Sequence, residues 1–136
     1  MIALLDTCVL IDALQKRDGF SKEAQEIFLK TARREIDVCI TAKSLLDVYY
    51  LMRKFLKDEG KTRAAIEKLL DLFSVLDTSG DDCVLALGAA SPDYEDAVMV
   101  ETAKRHDIDY IITRNVKHFK GEKIKILSPK QYLSIC

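Results

Sequence analysis

The chain opens on an uninterrupted apolar run that ends in an acid: residues 2–5 are followed directly by Asp6 and Thr7. A short apolar run of this kind is typical of a strand that is buried on both faces of a parallel sheet. Ligands bind beyond the carboxyl ends of such strands, so we expect Asp6 at a ligand-binding edge. Asp and Thr also cap helices, and for Asp6 taken alone a helix cap is the more common role.

Strand patterns alternate with helix patterns along the whole sequence. Five strands are predicted, over residues 2–6, 36–41, 73–77, 109–113 and 123–127. Helices that alternate with strands are typical of parallel sheets with right-handed crossovers. The predicted fold is therefore α/β, a three-layer α/β/α sandwich around a mostly parallel sheet of four to five strands.

A few residues set the predicted helix boundaries. Ser21 is expected to cap the second helix, and Gly60 to end the long helix over 43–57. Residues 79–82 have the pattern of a capping box. Residues 91–92, Ser-Pro, are expected to begin a helix that runs to about residue 105, since proline is tolerated at the first helical position.

Length and composition favour one compact domain, which we expect to cover residues 1–136. A net charge of −1 argues against a protein that coats nucleic acid through a broad basic surface. No apolar run approaches the roughly 20 residues that span a bilayer, and no signal peptide precedes the first strand, so we expect a cytoplasmic protein without a membrane partner. The four cysteines are widely spaced, which predicts free thiols in a reducing compartment and argues against zinc.

Two acids are unexpected in the helices that carry them. Asp96 shares a helix face with apolar residues and lies beyond the first turn, so its carboxylate requires a partner. Asp93 lies on the same face, but an acid in the first turn is favoured by the helix dipole. Asp47 lies in a largely apolar helix, where an ion pair with Lys43 and a functional role are about equally good explanations.

Asn115 follows the fourth predicted strand, after Thr113 and Arg114. If that strand neighbours the first, Asn115 and Asp6 emerge at the same edge of the sheet. Asn and Thr are also common in turns, and a turn is the alternative.

Convergence of Asp6, Asp47 and Asp96 would call for a cation. Two carboxylates about 4 Å apart repel by roughly 4 kcal/mol at an effective dielectric of about 20, so such a cluster requires a proton or a metal ion. Oxygen ligands without His or Cys favour Mg²⁺ or Mn²⁺. Ions held in this way suit phosphodiester hydrolysis, because they activate water and polarise the phosphoryl oxygens.

Four segments together resemble a PIN domain, a metal-dependent ribonuclease fold. In family order and spacing, they are LDTCVLID (5–12), SLLDVYY (44–50) with Arg53-Lys54, DYEDA (93–97) and DYIITRNVKHF (109–119). The resemblance implies an acidic metal pocket in which Asp6, Asp47 and Asp96 are the first, second and third acids. Asn115 stands where many members carry a fourth acid, which leaves open whether one or two metal ions bind.

The resemblance also implies further residues and partners. Asp93, Thr7 and Thr113 are candidates for additional metal contacts or for supporting the ligands. A short chain of this kind is similar to VapC-like toxins, which implies an RNA substrate, a homodimer and an antitoxin that blocks the pocket.

Three basic residues are candidates for contacts with RNA phosphates, although ordinary surface positions are at least as good an explanation for each of them: Arg114, Lys117 and Lys43. The predicted function is a Mg²⁺- or Mn²⁺-dependent endoribonuclease. A PIN-like module that binds RNA or protein without cutting is the main alternative, and a phosphatase or receiver-like domain with an aspartyl nucleophile is another.

Overall fold

Five parallel strands form the centre of the molecule in the computed structural model, which describes residues 1–119 and 122–136. They are β1 (Ile2–Leu5), β2 (Asp37–Thr41), β3 (Ser74–Leu76), β4 (Tyr110–Ile112) and β5 (Lys125–Leu127). Their order across the sheet is β3-β2-β1-β4-β5. The predicted α/β/α sandwich with a parallel sheet is confirmed.

Helices fill nearly all of the connections between these strands. They are α1 (Thr7–Leu14), α2 (Ser21–Ala32), α3 (Ala42–Leu56), α4 (Glu59–Leu72), α5 (Gly80–Ala86), α6 (Tyr94–Arg105) and α7 (Pro129–Ile135), with a short 3-10 helix at Val116–Phe119. None of the helices in the described parts of the chain combines the length and the apolar character needed to cross a membrane.

Alternate residues of the strands face two separate layers of helices. Ala3 and Leu5 pack with buried residues of α1, α2, α3, α4 and α7, whereas Leu4 packs with α6 on the opposite face. All three side chains are fully buried. The apolar run at the start of the chain is therefore continuous because both faces of β1 are covered.

The direction in which successive strands are added to the sheet reverses at β1. This switch point determines where polar side chains meet. From β1 the chain builds β2 and then β3 on one side, and it returns to build β4 and β5 on the other. Leu4 is in register with Cys39 of β2 and with Ile111 of β4. Ligands of open α/β sheets bind at such a switch point, beyond the carboxyl ends of the strands.

Three predicted helix boundaries are wrong, at Ser21, at Gly60 and at residues 91–92. Ser21 is the first residue of α2 and does not cap it; Phe20 holds the capping position without a side-chain hydrogen bond. Gly60 lies inside α4, and α3 ends instead because Lys57 adopts a left-handed conformation, with φ 55°. Asp58 then caps α4 by accepting a hydrogen bond from the Lys61 backbone N–H.

The start of α6 also differs from the prediction, because the helix begins at Tyr94 and not at residues 91–92. Asp93 caps it: its carboxylate accepts a hydrogen bond from the Asp96 backbone N–H at 3.0 Å. An Asp side chain at this position satisfies a free N–H group, which proline cannot do. The capping box at residues 79–82 is confirmed, with Ser79 and Asp82 bonded reciprocally.

Candidate active site

A cavity of about 420 Å³ lies at the carboxyl edge of the sheet, next to the switch point. Five carboxylates from three segments of the chain line it: Asp6, Asp47, Asp93, Glu95 and Asp96. Their basic and polar neighbours in the lining include Arg17, Lys43, Asn115 and His118. The cavity therefore has a marked excess of acids in a protein whose overall charge is nearly balanced. We call it the acidic cavity.

Asp6 both caps α1 and lines the acidic cavity, so its two predicted roles are compatible. Its carboxylate accepts hydrogen bonds from the Thr7 backbone N–H at 2.8 Å and from Thr113 Oγ1 at 2.7 Å. The Cys8 thiol lies 3.4 Å from the same carboxylate. Only 7% of Asp6 is exposed, and these fixed donors hold the carboxylate in one orientation.

Thr113 connects Asp6 to the segment that follows β4. The residue is fully buried, and its hydroxyl also accepts a hydrogen bond from the Asn115 backbone N–H at 3.0 Å. Asn115 is thereby held at the rim of the cavity, although its side chain is exposed. Thr113 itself does not line the cavity, so its position suits support of Asp6.

Asp96 carries an unfavourable negative charge. Burial, together with the charges of Asp6 and Asp93, raises the pKa of its carboxyl to about 6, and His118 opposes that shift. The His118 ring lies 3.4 Å from Asp96, from Nδ1 to Oδ2. This repulsion shows that Asp6, Asp93 and Asp96 are near one another without a full complement of positive charge.

Asp47 forms the ion pair with Lys43 that the sequence suggested, and it lines the acidic cavity as well. The Lys43 ammonium also lies 3.2 Å from Glu95 Oε1 on α6. Partial burial opposes the charge on Lys43, but the hydrogen bonds to Asp47 and Glu95 outweigh it and raise the pKa of Lys43 above its ordinary value. Asp47 is 38% exposed, and its carboxylate is thus occupied by an internal cation.

The other residues singled out in the sequence are placed as follows. Thr7 lines the cavity and donates a hydrogen bond to Ser44 at 2.9 Å. Arg114 does not line it: its guanidinium binds Asp12 and stacks on Phe20, 4.1 Å from the ring centroid. Lys117 is exposed on the 3-10 helix and is also outside the lining.

The lining also contains residues that were not singled out in the sequence, among them the charged or titratable side chains of Arg17 and His118. His118 follows Asn115 by three residues, and this short spacing was an available signal. Glu95 also lines the cavity, and the approach of Lys43 to it from α3 is visible only in three dimensions.

The sequence model of one protein family, the PIN domain, matches residues 3–117. This chain belongs to the PIN domain family. A comparison with curated proteins found no match.

Solved structures agree with the fold of this PIN domain. A toxin–antitoxin complex from Klebsiella pneumoniae contains a chain 25% identical to it, with a TM-score of 0.65, covering 93% of this chain and 97% of that one. VapBC2 from Rickettsia felis, bound to a promoter DNA fragment, gives 16% identity, a TM-score of 0.67 and coverage of 94% and 98%. DNA-bound VapBC from Salmonella typhimurium gives 20% identity and a TM-score of 0.67, and the match covers 95% of this chain and 98% of that one.

The acids of this PIN domain are suited to a hard divalent cation in donor type and in charge. Carboxylate and amide oxygens are the ligands that Mg²⁺ prefers, and the raised pKa of Asp96 shows negative charge that a cation would neutralise. Within residues 1–119 and 122–136, however, no three Asp, Glu, His or Cys side chains stand close enough to hold one ion together. Binding of a divalent ion by three of these acids would therefore require side chains to move, and Asp47 could take part only if its ion pair with Lys43 opened.

Proposed function

We propose that this protein is a divalent-metal-dependent endoribonuclease and the toxin component of a toxin–antitoxin pair. The observation that carries the proposal is the acidic cavity at the switch point, where five carboxylates meet and the charge of Asp96 is opposed by its neighbours. An arrangement that keeps acids together against their repulsion is typical of a functional site. Membership of the PIN domain family supports the same reaction class.

Asp6, Asp96 and Asp47 would hold Mg²⁺ or Mn²⁺, with Asp47 binding directly or through a water. Asn115 completes the set with a neutral oxygen, and Asp93 is an additional candidate. When bound, the ion supplies an activated water and polarises the phosphoryl oxygens. The neutral amide of Asn115 favours one tightly held ion over two, because a second divalent cation has one carboxylate fewer to balance it.

The protein's own contribution is to fix the orientation of the acids before substrate arrives. Thr7 and Thr113 present two hydrogen-bond donors to Asp6, and the Asp93 cap holds the first turn of α6 that carries Asp96. Arg17 and Lys43 line the same cavity, and they supply positive charge that can face RNA phosphates.

A protein partner is part of the proposal. One of the similar structures is a toxin–antitoxin complex. Four large apolar side chains on α3 are exposed, Leu46, Tyr50, Leu51 and Phe55, and Tyr50 and Leu51 among them line the cavity. Exposed apolar patches of this kind mark protein interfaces, so an antitoxin that covers α3 would also block the cavity. A homodimer and a cytoplasmic location belong to the same proposal.

The test is RNA cleavage by the purified protein, free of antitoxin, with Mg²⁺, with Mn²⁺ and with EDTA. Asp6→Asn should lower the cleavage rate at least 100-fold. It should leave the fold intact, because the amide oxygen still accepts the hydrogen bond from the Thr7 N–H that caps α1. Asp71→Asn, an exposed acid on α4, is the matched control and should cleave at the wild-type rate. Cleavage by Asp6→Asn within a few-fold of wild type would refute the assignment.

A non-cutting PIN-like module that binds RNA or protein is the second candidate. Two points favour it: Asn115 stands where the resemblance implies an acid, and Asp47 is occupied by Lys43. A folded wild type that binds RNA but does not cleave it with either ion would support this candidate. Covalent phosphate retained on Asp6 would instead support the aspartyl nucleophile.

A further inference from the structure

Lys43 joins two acids that belong to different helices. Its ammonium contacts Asp47, one turn further along α3, and lies 3.2 Å from Glu95 in the first turn of α6. Only 34% of the Lys43 side chain is exposed, and all three residues line the acidic cavity. Lys43 thus places a single positive charge on two of the five acids.

We propose that Lys43 is an internal counterion that competes with the divalent ion for Asp47. The inference rests on the proposed function, since it concerns how the ion gains access to one of its ligands. A lysine ammonium is a compact charge on a flexible stem, so it can neutralise a carboxylate and still move away. Asp47 then binds either the ammonium or the metal ion.

Glu95 is a second ion-pair partner for Lys43, and it remains available when Asp47 binds the metal ion. Its carboxylate is 73% exposed and makes its ion pair with Lys43 from the cavity rim. The ammonium can therefore remain at the cavity mouth, paired with Glu95. By holding the Lys43 ammonium there, Glu95 keeps a positive charge at the position where an RNA phosphate would approach the proposed metal centre.

The expected size of the competition is modest. Partly exposed ion pairs contribute up to about 1 kcal/mol, which corresponds to roughly a fivefold change in an equilibrium constant. Removing Lys43 should therefore strengthen metal binding severalfold. The metal site of the wild type remains accessible, because the ammonium is held weakly enough to be displaced.

The experiment measures Mn²⁺ affinity by electron paramagnetic resonance for the wild type, Lys43→Met and Lys104→Met. Met keeps most of the apolar stem of Lys and removes its charge. Lys104 pairs with Glu101 on α6, three residues apart and outside the cavity lining, so its variant has the same net charge as Lys43→Met. We expect Lys43→Met to bind Mn²⁺ three- to fivefold more tightly than wild type, and Lys104→Met to stay within about 1.5-fold. Equal affinities of the two variants would overturn the proposal.

A double-mutant cycle separates competition at Asp47 from a general effect of charge. In an Asp47→Asn background, Lys43→Met should no longer strengthen Mn²⁺ binding, because the carboxylate for which Lys43 competes is gone. A gain that persists in this background would show that Lys43 acts through the field of the whole cavity, which contradicts the proposal. Circular dichroism of each variant checks that the helices are retained.

The two proposals fail in different ways. A wild type that binds Mn²⁺ without cutting RNA, together with tighter binding by Lys43→Met, would refute the nuclease and support the counterion. A wild type that cuts RNA, with a Lys43→Met variant that binds Mn²⁺ no more tightly, would do the reverse.

Discussion

Arg114 binds both carboxylate oxygens of Asp12, from Nε at 2.7 Å and from Nη2 at 3.2 Å. Asp12 lies on α1 and is 1% exposed, and Arg114 precedes Asn115 in the segment that follows β4. The pair therefore ties together the two segments that carry Asp6 and Asn115. It gives Arg114 a structural partner within the fold, while its candidate contact with RNA stays a prediction.

Loss of Arg114 should destabilise the fold. Arg114→Gln leaves a buried carboxylate without its bidentate partner, and breaking such a pair costs about 3 kcal/mol. Arg17 lies 3.7 Å from Asp12 and offsets part of this loss, so about 2 kcal/mol is expected. Urea unfolding measures the difference.

The matched control for this prediction is Arg63→Gln. Arg63 forms an ion pair with Glu59 on the exposed face of α4, and its loss should cause no measurable change in the free energy of unfolding. A loss in Arg114→Gln no larger than that of the control would show that Asp12 does not depend on Arg114.

The acids of the cavity should make the metal-free protein less stable at neutral pH. The pKa of Asp96 in the fold, about 6, lies above its value of about 3.9 in an unfolded chain, because burial, Asp6 and Asp93 oppose its charge. A raised acid pKa means that stability falls as the pH rises from about 4 to about 6 and remains lower above that range. Asp96→Asn should therefore raise the free energy of unfolding by about 1 kcal/mol at pH 7.5 in EDTA, after allowance for solvent screening.

The pH dependence checks the cause of this effect. The gain of Asp96→Asn over wild type should vanish below about pH 4, where Asp96 is protonated in both states. Asp71→Asn, on the surface of α4, should show no gain at either pH. An Asp96→Asn variant less stable than wild type at pH 7.5 would mean that the carboxylate is stabilised by contacts.

The contribution of Asp82 to the free energy of unfolding should depend on pH in the opposite direction to that of Asp96. Hydrogen bonds from Arg105, from the Ser79 N–H and from Thr102 hold the pKa of its carboxyl well below the ordinary value, despite its burial. A lowered acid pKa contributes stability that is fully present above the unfolded pKa of about 3.9 and is lost as the pH falls toward the folded value. Asp82→Asn should therefore be less stable than wild type by a constant amount from pH 7 to 5.

Below about pH 4 the difference between Asp82→Asn and wild type should narrow. Asp81→Asn, in the same helical turn but exposed, is the control and should follow the wild type throughout. Urea titrations at each pH provide the free energies. If the difference in the free energy of unfolding between Asp82→Asn and wild type grew larger at acidic pH, the ionised carboxylate of Asp82 would not be the stabilising group.

The cysteine of the acidic cavity should be unreactive. Burial, with the nearby charge of Asp6, raises the pKa of the Cys8 thiol to about 12, and burial raises that of Cys39 to about 12 as well. Thiols of this kind are almost wholly protonated at pH 8 and react slowly. We expect a thiol reagent to modify exposed Cys136 first, and Cys8 and Cys39 only on unfolding.

Single substitutions identify the thiols in this assay. Cys136→Ser should remove the fastest phase of labelling, and Cys8→Ser should leave that phase unchanged. Rapid modification of Cys8 in the folded protein would show that the cavity activates it.

The sequence was sufficient to predict the architecture, because a strand that is buried on both faces of a sheet is recognisable as a short continuous apolar run. The apolar run of β1 and the alternation of strands with helices predicted the sheet, and the capping box at Ser79 was recognisable from residue types alone. Helix ends that depend on backbone conformation were less accessible. Lys57 adopts a positive φ that its residue type does not favour, so Gly60 was the more natural choice for the end of α3.

The acids of the cavity could be predicted from the sequence, but the basic residues that pair with acids could not. Asp6, Asp47 and Asp96 were recognised from the pattern, and all three line one cavity. The partners of the charges are contacts between distant segments: Arg114 with Asp12, and Lys43 with Glu95. Side-chain pairing between distant segments leaves no periodic signal in the sequence, so the partner of Arg114 could not be read from it.

The hydrogen bond from Thr113 to Asp6 spans 107 positions of the sequence, and it has a consequence for synthesis of the protein. A growing chain contains Asp6, Asp47 and Asp96 before β4 has been made, and until then β1 lacks one of its two neighbours. A ribosome-bound or prematurely terminated product therefore carries these acids without the strand that completes their setting. The acidic cavity is therefore completed only after Thr113 has been synthesised and β4 has joined β1.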